Sequence, residues 1–178
     1  MENIEQYMDD WREAFIANYR GETPEAKELA DYLKSTYQGA KYIPWATMER
    51  LVYQQDPWAT FEKVKNENGG LVFSTYDNIE TYQRVVKDGV EQLTETKSQI
   101  VHHFVRVRLT FMGKDFEEDY PIQDNKYAPV RVPDANAINK SLQRALAKVA
   151  SRGTGLALRL FEGHDLQFEE ESNAQKTI

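Results

Sequence analysis

Apolar and polar positions recur with two different periods in the second half of the chain. From Val101 to Met112 they alternate: Val101, His103, Val105, Val107, Leu109 and Phe111 share one face, and His102, Phe104, Arg106, Arg108 and Thr110 the other. A period of two predicts a strand with one face on a core and one face open. The open face then carries two arginines and an aromatic ring. Gly113-Lys114 turns the chain, and Asp115 to Ile122 is expected to pair back as a hairpin. Tyr127 to Val132 then leads into a segment of helical period. There Ile138, Leu142, Ala145, Leu146 and Val149 fall on one face at about 100° per residue. Asp134 is a good N-cap, Pro133 disfavours helix before it, and Gly153-x-Gly155 closes the segment with a tight turn. Lys140, Arg144, Lys148 and Arg152 follow one another at i, i+4 on an adjoining face. Asp134 is the one acidic residue in this helix, so the stripe has no partner within it.

The remaining pattern is less regular. Ile4, Met8, Trp11, Phe15 and Tyr19 recur at helical spacing until Gly21, and Thr23-Pro24-Glu25 starts a second helix with Leu29, Tyr32 and Leu33 on its apolar stripe. These helices are expected to stand apart from the core, with aromatics able to clamp a neighbouring subunit. Tyr42-Ile43-Pro44-Trp45-Ala46 leads into a short helix through Met48, Leu51 and Val52. Ala59 to Val64 and Leu71 to Tyr76 read as two paired strands around the turn Asn66-Glu67-Asn68-Gly69-Gly70. Residues 77–99 are polar and weakly patterned, which suggests a long insertion or loop. Gly155 to Phe161 is expected to add a last strand, and Glu169 to Ile178 reads as an acidic, disordered tail. The fold class is α+β: an antiparallel sheet packed on a basic amphipathic helix, plus N-terminal helices. Three stretches follow: a helical extension at 1–36, a core at 37–162 and a tail at 163–178.

Composition changes this picture in three ways. The 178 residues suit one domain, and the absence of cysteine removes disulfides, thiolate metal sites and thiol nucleophiles. No run of about 18 apolar residues exists and the first residues lack the basic and apolar regions of a signal peptide. A cytoplasmic protein with no membrane partner is the simple expectation. The net charge of −7 opposes bulk attraction to nucleic acid, but residues 101–159 carry ten Lys and Arg against six acids. That segment is +4 and the rest −11. A locally basic core between acidic flanks suits a focused polyanion site.

Catalytic signatures are sparse. No phosphate-loop motif is present, and Gly153-x-Gly155 is too short for a dinucleotide fingerprint. His102 and His103 are adjacent on a strand, so they point to opposite faces and do not chelate one metal readily. Glu117-Glu118-Asp119 alternates across a strand and reads as a solvated edge. No cofactor and no covalent chemistry are expected. Binding is better supported: a sheet face with Phe104, Arg106 and Arg108 beside a helix with Lys140, Arg144, Lys148 and Arg152 would form a cationic groove. Aromatic stacking with a basic track is how single strands are held without sequence readout. Lys126 and Arg131, on the approach to the helix, complete the candidate DNA-binding set.

Three motifs in this order resemble a known family. Tyr42-Ile43-Pro44-Trp45-Ala46, Asp134-x-Asn136-x-x-Asn139-Lys140-Ser141-Leu142-Gln143-Arg144-Ala145-Leu146-Ala147-Lys148 and Gly153-x-Gly155-Leu156 look like the phage single-strand annealing proteins. The match is nearest to the small Sak group, within the broader class that includes Redβ, RecT, Erf and the eukaryotic Rad-type annealing protein. The resemblance spans residues 37–161. It implies a β-β-β-α core, a homo-oligomeric ring or filament, and ATP-independent annealing of complementary strands in recombination, in the host bacterial cytoplasm. The implied partners are single-stranded DNA, the annealed duplex, and a phage exonuclease or single-strand-binding protein. Rival readings are a strand-protecting protein without annealing activity, an acidic interaction or inhibitor protein, and a nuclease using Glu117, Glu118 and Asp119.

Overall fold

The computed structural model describes residues 2–35, 41–87, 90–124 and 128–162. Lys126 and the tail from residue 163 onward lie outside the described residues. The fold is α+β with antiparallel sheets. Its elements are α1 (Glu2–Arg20), α2 (Pro24–Glu28) with a 3-10 turn at Leu29–Tyr32, β1 (Lys34–Ser35), β2 (Lys41–Tyr42), α3 (Trp45–Gln55), β3 (Thr60–Lys63), β4 (Phe73–Lys87), β5 (Val90–Phe111), β6 (Lys114–Pro121), α4 (Ala135–Thr154) and α5 (Leu158–Phe161).

β5 is the central strand. β6 lies along one edge, in register from Phe104↔Pro121 to Phe111↔Lys114. The other edge is shared by two segments: β3 pairs Thr60↔Thr110 through Lys63↔Val107, and β4 pairs from Phe73↔Phe104 onward. Residues 107–110 pair with both β3 and β6, and Phe104 with both β4 and β6, so β3 and β4 lie on the same side of β5. This corrects the expected hairpin between Ala59 and Tyr76. Its turn exists, with Gly69 at φ 78 and Asn66 N–H donating to Gly70 O. The flanking segments do not pair with each other; they are two collinear pieces of one edge, separated by an outward loop.

Residues 77–99 are not a loop. β4 and β5 continue past the sheet as a two-stranded ribbon, from Asp77↔Ile100 to Lys87↔Val90. The pattern is weak there because every described side chain in the ribbon except Ile79 is exposed, so no core imposes a period of two. The segment after Gly155 is also different from expectation: it forms the short helix α5, not a strand.

The core lies on the odd-numbered face of β5. Val105, Val107, Leu109 and Phe111 are fully buried there. They meet Leu142, Ala145, Leu146 and Val149 of α4, with Met48, Leu51 and Val52 of α3 completing the layer. α4 begins as its sequence requires, with Asp134 Oδ1 accepting from Ala137 N–H at 2.7 Å. It ends at Gly155 in the left-handed region, φ 80.

The N-terminal helices do not stand apart. Trp11 Nε1 donates to Gly153 O at 2.8 Å, and Asn18 Nδ2 to Thr154 O at 2.8 Å. Trp11 also stacks on Phe116, and Tyr19 hydroxyl donates to Glu162 at 2.9 Å. α1 therefore satisfies carbonyls that the end of α4 leaves without helical donors. A Cβ on Gly155 would sit 2.5 Å from Phe15 O, a backbone atom that cannot swing aside. Gly113 shares a positive φ of 71 but has nothing within 4 Å. Gly155→Ala should therefore cost more than Gly113→Ala. The second substitution carries the backbone penalty alone, about 1–2 kcal/mol; the first adds overpacking of about 1–3 kcal/mol. Thermal melts of the two variants check the order. Equal melting temperatures would show that the α1–α4 contact is loose.

Candidate nucleic-acid interface

The candidate residues fall on two opposite faces of the sheet and do not form one groove. α4 packs on the odd-numbered face of β5, whereas Phe104, Arg106 and Arg108 project from the even-numbered face. Their charges there are already engaged. Arg106 donates through Nε to Asp119 Oδ1 at 2.6 Å and through Nη2 to Asp119 Oδ2 at 2.8 Å. Arg108 donates to Glu117 Oε1 at 2.6 Å and reaches Glu62 at 3.3 Å. These hydrogen bonds hold both guanidiniums above their ordinary range, with partial burial opposing the shift. Phe104 is half-buried and stacked on Phe73 at 5.3 Å, with the Arg106 guanidinium 5.2 Å from the Phe73 ring. Phe73, Phe104, Arg106 and Arg108 thus each have a neighbour across the strands.

The helix stripe is also divided. Lys148 Nζ lies 2.7 Å from Glu118 Oε1, and Arg152 donates to Glu118 Oε2. Glu118 is 4% exposed. The expectation of a cation row without partners is therefore corrected, and so is the reading of Glu117 to Asp119 as a solvated edge. The partner was invisible to helix spacing because it comes from β6, in register with Val107 on the core face. Glu117 and Asp119 point the other way, to Arg108 and Arg106. These three carboxylates thus split between two faces, each tied to a cation, which does not suit a two-metal nuclease site.

Lys140 and Arg144 face elsewhere. With Gln143, Ala147 and Ser151 they form one wall of a groove of about 710 Å³. The opposite wall holds Lys41, Tyr42, Ile43, Pro44 and Trp45, and Tyr120 and Phe161 also line it. The first and second sequence motifs thus meet, although they lie far apart along the chain. Tyr42 and Phe161 are 43% and 53% exposed, so two aromatic faces are open to solvent beside the cations. Sequence reasoning missed Lys41, Tyr42, Trp45, Tyr120 and Phe161 as groove residues. The Tyr42-Ile43-Pro44-Trp45 motif was the available signal: two aromatics around a proline, before a helix. Arg131 is exposed, and its carbonyl accepts from His103 Nε2 at 3.0 Å, which places the pre-helix segment beside the core face of β5. His102 turns away, 3.1 Å from Asp77.

Exposed aromatics beside cations on a groove wall are the features of a single-strand-binding surface. Comparison with known proteins gives a family. The model of the Sak single strand annealing protein family matches residues 71–177, and the chain belongs to that family. The matched stretch includes β4 to α5 and leaves the Tyr42 to Ala46 motif outside it. No curated protein and no solved structure matches the chain. Among the described residues no group of three His, Cys, Asp or Glu is placed to hold a metal ion, and no helix is long and apolar enough to cross a membrane.

The Glu118 arrangement has a consequence for stability. Lys148 and Arg152 are 40% and 60% exposed at their side chains, whereas the carboxylate is buried. Removing both cations leaves a buried, uncompensated charge, which costs about 3–5 kcal/mol in comparable cases. Glu118→Gln instead leaves two cations that water can solvate. Lys148→Ala with Arg152→Ala should therefore destabilise more than Glu118→Gln in urea unfolding. The reverse order would mean that Glu118 is solvated in solution. A DNA-binding defect in the double variant should be read only after folding has been measured.

Proposed function

We propose that the protein binds single-stranded DNA along the groove between α4 and the Lys41–Trp45 segment, and anneals complementary strands without ATP as a homo-oligomer. The observation that carries the reading is the meeting of Lys41, Lys140 and Arg144 with Tyr42 and Phe161 in one groove. Family membership supports annealing in phage recombination. Phosphates would lie along the cations, and bases would stack on the exposed rings or remain open to a second strand. Pairing itself supplies the free energy, so the protein need only neutralise charge and align the strand. The even-numbered face of the sheet is a weaker candidate, because Asp119, Glu117 and Glu62 beside its arginines would repel phosphate.

Lys140→Ala with Arg144→Ala should weaken binding of all sequences alike. The slope of log K against log salt should fall by about 0.7 for each phosphate that is no longer neutralised. Tyr42→Ala should cost about 1–3 kcal/mol of binding if one base stacks there, with little change in the melting temperature because that ring is exposed. Fluorescence anisotropy over a salt series, paired with an annealing assay on complementary oligonucleotides, tests both. Unchanged affinity and salt slope in the double variant would remove the groove from consideration. Tight binding with no annealing would favour a strand-protecting protein.

A further inference from the structure

The β4–β5 ribbon is a surface that the groove does not use. It projects past the sheet from Asp77↔Ile100 to Lys87↔Val90. β6 reaches only to Phe104↔Pro121, so the β5 edge from Val90 to His102 faces no strand among the described residues, and neither does the outer edge of β4. A two-stranded ribbon with both faces in water is marginally stable by itself, and long free edges invite further pairing. The ribbon is mostly polar, yet four large apolar or aromatic side chains stand exposed on it. Tyr76, Tyr82, Val86 and Leu93 are each 60–67% exposed, and strand parity puts all four on one face. That face is continuous with the core face of β5. The segment 77–99 carries five acids and three bases, net −2, which argues against a nucleic-acid strand as its occupant.

We propose that the ribbon joins copies of this chain, the free β4 edge of one pairing antiparallel with the free β5 edge of the next. This deepens the annealing reading by naming the surface that sets grooves side by side. Three features select a second copy over another protein. Each chain brings both halves of the contact, one β4 edge and one β5 edge, so a single rotation satisfies both on every subunit. Such a head-to-tail contact repeats around a ring or along a helix. The charges are self-complementary as well. In level register Glu80 would stand opposite Lys97 of the next copy, repeating the pair at 3.3 Å within one chain. Arg84 would lie diagonal to Glu91 and Glu95 of that copy, within reach for long side chains. Finally, any register that keeps the pleat in phase gathers Tyr76, Tyr82, Val86 and Leu93 of successive copies on one side of a continuous sheet. These four side chains, interleaved on that face with Glu80, Arg84, Glu91, Glu95 and Lys97, then meet those of the neighbouring copies.

The test uses the full chain with two variants. Tyr82→Glu with Leu93→Glu replaces two of these four side chains with charge at exposed positions, so the body should fold. The second variant replaces Asp77–Ile100 with Asn-Gly, closing a two-residue hairpin from Tyr76 to Val101. Light scattering and sedimentation over a concentration series give the assembly, melts report folding, and anisotropy on a short oligonucleotide reports the groove. Wild-type protein should assemble, with ribbon amides slow to exchange at high concentration. Both variants should shift the assembly midpoint to higher concentration by about tenfold or more, while short-oligonucleotide affinity stays within about twofold of wild type. Assembly that survives both changes would overturn the proposal. So would a wild-type monomer at all concentrations, or fast-exchanging ribbon amides within an assembly; the ribbon would then belong to a different protein. Failure of the groove reading shows separately, as loss of DNA binding by a wild-type protein that still assembles.

Discussion

The two-residue period of β5 decides where every other feature can lie. A one-residue slip would exchange its faces. Register fixes Val105, Val107, Leu109 and Phe111 inward, and with them the helices that cover that face. Arg106 and Arg108 are then forced outward, onto the side away from α4. Through its pairing with β6 the same parity sends Glu118 inward and Glu117 and Asp119 outward. The distribution of charge over this protein is a consequence of one strand's alternation.

That distribution reconciles a net charge of −7 with the proposed polyanion site. On the even-numbered face each arginine lies across the strands from an acid, so the local field largely cancels. At the end of α4, two cations share the buried Glu118. The pairing binds β6 to α4 and takes charge from the stripe. The groove is faced instead by Lys140 and Arg144, joined by Lys41 from β2. Surface potential is set by such local arrangements more than by the total.

Much of the fold was legible because burial imposes a period. The alternation of Val101 to Met112, the apolar face of α4, the Asp134 cap and the Gly155 stop are local rules, and the structure obeys them. The ribbon was illegible by the same rule, since exposure on both faces removes the period. Asp88-Gly89, between Val85-Val86-Lys87 and Val90, was a hairpin signal that could have been read. The pairing of β3 with β5 was also hidden. A turn motif between two short apolar runs says that the chain reverses, not which strand receives it. Half of the site was legible: Lys140 and Arg144 follow from helix spacing, but spacing within one helix cannot reveal Glu118 on β6 or Lys41 and Tyr42 across the groove. Long-range partners decide which cations of a stripe face the groove.

Partial neutralisation also fits what annealing asks of a protein. Pairing of complementary strands is downhill, so a mediator gains nothing by gripping a single strand strongly. Tight binding of unpaired bases would oppose the duplex. On the proposed reading, a short groove with few cations would hold each strand weakly and reversibly. Repetition then supplies the total affinity, since linked grooves act at high effective concentration without new contacts to DNA. On that logic the Glu118 pairing and a subunit-linking ribbon are two sides of one balance. As proposed, the first would keep each grip weak enough to release, and the second would make many weak grips sufficient to align.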